Sequence, residues 1–394
     1  MTSRALTFMA AMTLGTLGLA CASASSKNKD AATDGKTDGA SDSPATDGKD
    51  AATDAPKDVA GDGGAPEAAP DVPKLTELQA RGQYLVDHVV ACGDCHTPRG
   101  AMGPIPGKYL AGNPDFIALP NGDKLPSRNL TNDALGLKNR TDAEIKAMFK
   151  DGKRPTPTGE EALNPVMPYY VFHNMDNDDA DAIVAYLRTV PAVASDIPRR
   201  SASFDVTAPA NYLDPATFPN PISTFPNKGS ATHGRYLATQ VGLCIECHTP
   251  HKMGADVLDS AKYFQGGEDF TPFFAATLMI KPVSKNLTSD LMTGLGMWTP
   301  REIVKVLKEG KAKDGSGICP PMPVGPMGAY GGLTNEDAMD IANYIASLPP
   351  AVNMIVDMCQ FPPLPPDGGV PEGGAGDGTA SETAAETAAE TAAD

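Results

Sequence analysis

The sequence predicts an all-α fold made of two tandem units with unstructured ends. Three observations carry this. The middle of the chain repeats itself, the repeats share a helical apolar period, and each holds one Cys-x-x-Cys-His stretch. The repeat begins where Gly82-Gln83-Tyr84-Leu85 matches Gly234-Arg235-Tyr236-Leu237. It continues through Cys92-x-x-Cys95-His96-Thr97-Pro98 and Cys244-x-x-Cys247-His248-Thr249-Pro250, then Asn129-Leu130-Thr131 and Asn286-Leu287-Thr288. It closes with Asp179-Ala180-x-x-Ile183-x-x-Tyr186 against Asp337-Ala338-x-x-Ile341-x-x-Tyr344. A repeat of this length is a domain-sized unit of roughly 120 residues. The units span 74–194 and 228–351, and the Pro-, Ala- and Asn-rich stretch 195–227 reads as an extended linker.

The helices follow in order. Over 75–90, Leu78, Leu85, Val86 and Val89 keep a helical period, and Thr76 is placed to cap the start. Ile145 and Phe149 mark a helix over 142–150; Ile303, Val306 and Leu307 mark its counterpart over 300–308. The stretches 178–189 and 335–347 are amphipathic, open on acidic residues and stop at Pro191 and Pro349. Between these helices lie long Gly- and Pro-rich loops, which a compact domain rarely tolerates without something to wrap.

The Cys-x-x-Cys-His stretches supply that something. Two thiols one helical turn apart can each form a thioether to one porphyrin, and the adjoining histidine then lies under the iron. With 7 Cys in 394 residues, a chance match is expected only about 0.002 times. A bare Cys-x-x-Cys would also suit a redox dithiol or half of a zinc site; the appended histidine selects haem c. Two haem c groups follow, with Cys92, Cys95, Cys244 and Cys247 as attachment points and His96 and His248 as proximal iron ligands.

The ends read differently. Residues 1–20 carry Arg4 and then an apolar run too short for a membrane span, as in an export signal. Leu17-Gly18-Leu19-Ala20-Cys21 resembles a bacterial lipoprotein signal, with Gly18 where Leu is usual. It implies a lipid on Cys21 and a membrane-anchored, exported protein, periplasmic or at the cell surface. Residues 21–73 form a disordered tether of Ala, Asp, Gly, Lys, Thr and Pro, and 352–394 form a Pro/Gly-rich, acidic tail. Of the net charge of −17, residues 22–73 carry −6 and residues 361–394 carry −7. The acidity therefore sits mostly outside the folded units, and it argues against nucleic acid as a partner.

Taken together, each unit resembles a class I-type cytochrome c domain. The resemblance rests on the Gly-x-aromatic first helix, the Cys-x-x-Cys-His, the Asn-Leu-Thr-x-Asp segment, a Met-Pro, and a last helix ending Tyr-Leu or Tyr-Ile before a proline. The segment 286–299 is similar to the haem domains of multi-haem cytochrome subunits that serve periplasmic alcohol and sugar-acid dehydrogenases. The first unit departs at Arg140, which aligns with Trp298. In the family that Trp lies near a haem propionate, and Arg140 could pair with a propionate instead.

The resemblance implies axial methionines. Met167, in Asn164-Pro-Val-Met-Pro168, takes that place in the first unit. In the second, Met322 shares the Pro-x-Met-Pro context, and Met327 close by competes with it. A thioether is soft and neutral and raises the iron potential. Of the four remaining histidines, His88, His173, His233 and His251, His173 is the nearest rival as a sixth ligand, and a polar surface histidine is the preferred reading of it. Cys319 and Cys359 fall outside both motifs, and in an exported protein they suggest one disulfide. The expected function is a non-catalytic dihaem relay of single electrons between redox-protein donor and acceptor. A dehydrogenase's cytochrome subunit and a dihaem peroxidase are the alternatives.

Overall fold

The computed structural model describes residues 74–100, 103–222, 228–252, 257–270 and 282–356. The expected signal, Cys21, the tether, Cys359 and the tail from 357 lie outside them.

Helix α1 (Glu77–Tyr84) starts at Thr76, whose hydroxyl accepts from Gln79 N while the Gln79 side chain accepts from Thr76 N. It passes into a π-helical turn over Leu85–Val89. Helix α2 (Cys92–His96) carries the first motif, entered through Ala91 at φ 59°. Three hairpins follow: β1 (Arg99–Gly100) with β2 (Gly103–Pro104), β3 (Asn113–Ala118) with β4 (Lys124–Ser127), and β5 (Lys153–Thr156) with β6 (Gly159–Ala162). All three are antiparallel. Helix α3 (Asp142–Asp151) lies before the third hairpin, and α4 (Tyr169–Phe172) and α5 (Asn177–Leu187) end the first half. The second half repeats the order with α6 (Lys228–Tyr236), a π turn over Leu237–Val241, α7 (Cys244–Cys247), α8 (Pro300–Glu309) and α9 (Asn335–Ala346).

The expectation of an all-α fold of two tandem domains is overturned on both counts. The loops of the first half close into three small antiparallel sheets. In the second half, isolated bridges stand at the equivalent places: His251 with Leu258, Asp269 with Val283, Lys311 with Gly317. Nor do the halves enclose separate cores. One apolar cluster runs from Leu85, Val86 and Val89 through Tyr169 and Phe172 to Leu237, Ile245, Leu307, Tyr344 and Leu348. Burying both repeats against one another removes more apolar surface from water than two separate cores of this size could.

Within each half the first and last helices cross closely. A Cβ on Gly82 would collide with the Ala182 carbonyl of α5, and one on Gly234 with the Asp340 carbonyl of α9. Glycine at the third position before the π turn therefore sets the helix spacing, and explains the repeated Gly-x-Tyr-Leu. The stretch 195–222 is extended in backbone but packed. Ser201 N donates to Lys124 O, Leu213 N to Tyr170 O, and Ile222 N to Ser347 O. Phe204 buries itself against Ile117 and Leu125, and Phe218 joins the main cluster.

Candidate functional site

Each Cys-x-x-Cys-His motif is held by the same set of bonds. His96 Nδ1 lies 2.7 Å from the Arg128 carbonyl, and His248 Nδ1 lies 2.8 Å from the Lys285 carbonyl. A carbonyl only accepts, so Nδ1 carries the proton and Nε2 keeps its lone pair. Both rings are buried, and burial lowers both imidazole pKa values, keeping the neutral, ligating form. The carbonyls of His96 and His248 accept from Gly112 N and Gly266 N, each at 2.8 Å. Both glycines are left-handed, φ 82° and 69°, which lets the chain turn back over the histidine. Thr97 and Thr249 hydroxyls accept from Leu110 N and Phe264 N.

The Asn-Leu-Thr segments are clamps rather than reactive groups. Asn129 Oδ1 accepts from Thr131, and its Nδ2 donates to Val193 O at 2.9 Å. Asn286 does the same with Thr288 and Ala351 O, at 2.8 Å. They tie the loop below each histidine to the chain just past the last helix.

The four motif cysteines are unpaired and half-buried. Burial pushes Cys92, Cys95 and Cys244 up to about 12, and Cys247 higher still. A thioether, once made, needs no thiolate, so the raised thiol pKa values are compatible with haem attachment. Beside Cys244 lies an apolar cleft lined by Val89, Leu237, Leu307, Tyr330, Leu333 and Ile341. Paired thiols beside a histidine whose Nε2 keeps its lone pair are the donor set of haem c.

The expected sixth ligands occupy matching turns. Tyr169 N donates to Met167 O at 2.7 Å, and Val324 N to Met322 O at 2.9 Å. Both methionines pack against the core, whereas Met327 is 99% exposed. His173 is occupied elsewhere: it stacks on Tyr212 at 3.6 Å and bonds Asp151 at 2.9 Å. His233 pairs with Asp340, and His88 meets Ala329 O of the other half. Arg140 donates to Pro155 O at 2.8 Å and lies 3.8 Å from Glu144. Cys319 is disulfide-bonded.

Sequence reasoning missed the groups that join the halves. Tyr84 donates to Asp337 at 2.6 Å and accepts from Thr334 N. Tyr236 donates to Asp179 at 2.8 Å and accepts from Asp176 N. These are the same two bonds made reciprocally, with repeat-equivalent residues on each side. The Tyr170 hydroxyl bonds Glu246, inside the second motif. Tyr330 is pushed well above its ordinary value by burial, then by Cys244 and Cys247, with Asp94 of the first motif also acting on it. Cys95 likewise acts on Cys247, after burial and nearer acids. The two motifs therefore lie near one another across the boundary. The repeat of Tyr84 as Tyr236, and of Asp179 as Asp337, was the available signal.

The cytochrome c family matches residues 79–191, so the chain contains a cytochrome c domain. It is 31% identical over 284 residues to the cytochrome c subunit of a quinone alcohol dehydrogenase from Gluconacetobacter polyoxogenes, covering 69% of this chain and 56% of that one. It is 27% identical to the fructose dehydrogenase cytochrome subunit of Gluconobacter japonicus, over 68% of this chain and 52% of the relative. The gluconate 2-dehydrogenase cytochrome c subunit of Pantoea cypripedii is also 27% identical, over 69% and 59%. The chain thus spans about half the length of the relatives it matches.

Proposed function

We propose that this chain is a two-haem electron relay of the kind that serves a dehydrogenase as its cytochrome subunit. Cys92, Cys95 and His96 hold the first haem c and Met167 completes its iron; Cys244, Cys247, His248 and Met322 do so for the second. The observation that carries the reading is the duplicated support of His96 and His248, with Nδ1 fixed on a carbonyl at 2.7 and 2.8 Å. Haem c, when bound, supplies a reversible one-electron couple. The residues do the rest. Each histidine offers Nε2 in a fixed direction, each methionine sits on a core-packed turn, and thioethers exclude exchange of the group.

The motifs lie near one another across the boundary between the halves, which favours passage of an electron between the sites inside one chain. The relatives' names support a dehydrogenase as donor. An exported location, with a lipid on Cys21 holding the chain at a membrane, completes the proposal. No helix among the described residues is long and apolar enough to cross a membrane.

A visible redox titration with carbon monoxide tests the ligand set. Two covalent haems, neither binding CO when reduced, are expected. Rapid CO binding to the reduced wild-type protein would replace the relay by an enzyme with an open iron, as in the peroxidase reading.

A further inference from the structure

Arg128 stands at the edge of the first site with no ion pair among the described residues. Its carbonyl takes the His96 Nδ1 bond, so the residue is fixed on the histidine side. Its guanidinium Nη1 donates to two neutral acceptors, Ile197 O at 3.0 Å and Pro198 O at 3.1 Å. Neither offsets its charge.

Two further arginines crowd the same place. Arg154 Nη1 lies 3.2 Å from Glu161 Oε2, and Arg200 Nη2 lies 3.0 Å from Glu161 Oε1. That Oε1 is buried yet accepts no well-formed hydrogen bond. Arg200 is 7% exposed at its side chain and turns its Nε to Asp205. Arg154, Arg200 and Glu161 all act electrostatically on Arg128, and with Asp205 included the three guanidinium groups still outnumber the two carboxylates. Burying such an excess is costly unless an anion joins it.

The place of the cluster says which anion. Arg128 belongs to the segment under His96. Glu161 lies on β6, which leads directly to Met167. Arg200 Nη2 also donates to Ala162 O at 2.9 Å, so the cluster joins the segment under His96 to the one that carries Met167, and a haem held between those two residues would bring its carboxylates within reach. We propose that Arg128, backed by Arg154 and Arg200, binds a propionate of the haem at the first motif. This rests on haem at Cys92 and Cys95. The second half offers no equivalent. Lys285 stands at the position of Arg128, Ser316 at that of Glu161, and Arg301 is the sole arginine between 242 and 356. The two haems then sit in different fields, the first in the more positive one.

The test uses the full haem-loaded chain. Removing a cation beside a haem stabilises the oxidised iron, so Arg128→Gln should lower one of the two potentials and leave the other in place. It should also shift one set of propionate bending bands in the resonance Raman spectrum. Arg128→Lys should recover the potential more fully than the Raman bands, because an ammonium restores charge without the planar fork. Should Arg128→Gln not accumulate, Arg154→Gln should lower the same potential by less. Unchanged potentials and unchanged Raman bands in a folded Arg128→Gln protein would overturn the proposal. So would a wild-type potential that moves on adding inorganic phosphate, which would assign the arginines to an outside anion. Intact mass of each variant reports haem content separately, so a failure of the haem reading itself is distinguishable.

Discussion

At the residue scale, the decisive contrast is between Met322 and Met327. Both lie in the loop before α9, and sequence alone left them in competition. Met322 packs against the core while Met327 is 99% exposed. An axial ligand must hold one position, which an exposed side chain on a loop does not. Met322→Ala should create one CO-binding haem of two, read as half the maximal CO difference spectrum, and Met327→Ala should create none. The reverse result would move the ligand to Met327. The Cys-x-x-Cys-His motifs were legible outright because thioether chemistry demands adjacent residues. The carbonyls that orient His96 and His248 were not, since any residue supplies a carbonyl and no side-chain pattern marks it.

At the scale of elements, helices were legible and hairpins were not. Thr141 and Glu144 cap α3 reciprocally, and Thr299 and Glu302 cap α8 in the same way. Thr299→Ala should cost about 1 kcal/mol of stability, measured by urea unfolding. Both glutamates are held below their usual range, first by the bond from the cap residue's N–H. A lowered carboxylate pKa stabilises the fold above the ordinary glutamate range, and that contribution is lost as pH falls through the folded value. Acid unfolding of Glu302→Gln should therefore show a weaker pH dependence below the ordinary glutamate range than wild type; an identical profile would deny the cap its role. The strands escaped notice because they are two to six residues long and interrupted by proline. Asn121-Gly122, with Gly122 at φ 89°, was a readable turn signal between β3 and β4.

At the scale of the molecule, the repeat was legible and the way its copies pack was not. A composition rich in proline suggested a loose linker and independent halves. Instead, residues 195–222 lie against both halves and one core runs through them. Pairing surfaces carry no local period, so nothing in a single chain announced that Tyr84 would meet Asp337 and Tyr236 would meet Asp179. Calorimetry should accordingly show one cooperative transition for residues of both halves. Tyr84→Phe should destabilise it by about 2 kcal/mol, since a buried carboxylate loses a charge-assisted partner. Two separate transitions would contradict a shared core. The proposed function requires that one chain carry two covalent haems. Intact mass of the denatured protein tests it most directly. The expected mass is the polypeptide plus two haem masses, with one haem peptide containing Cys92 and Cys95 and another containing Cys244 and Cys247. A single added haem, or haem that acidified acetone removes, would contradict it.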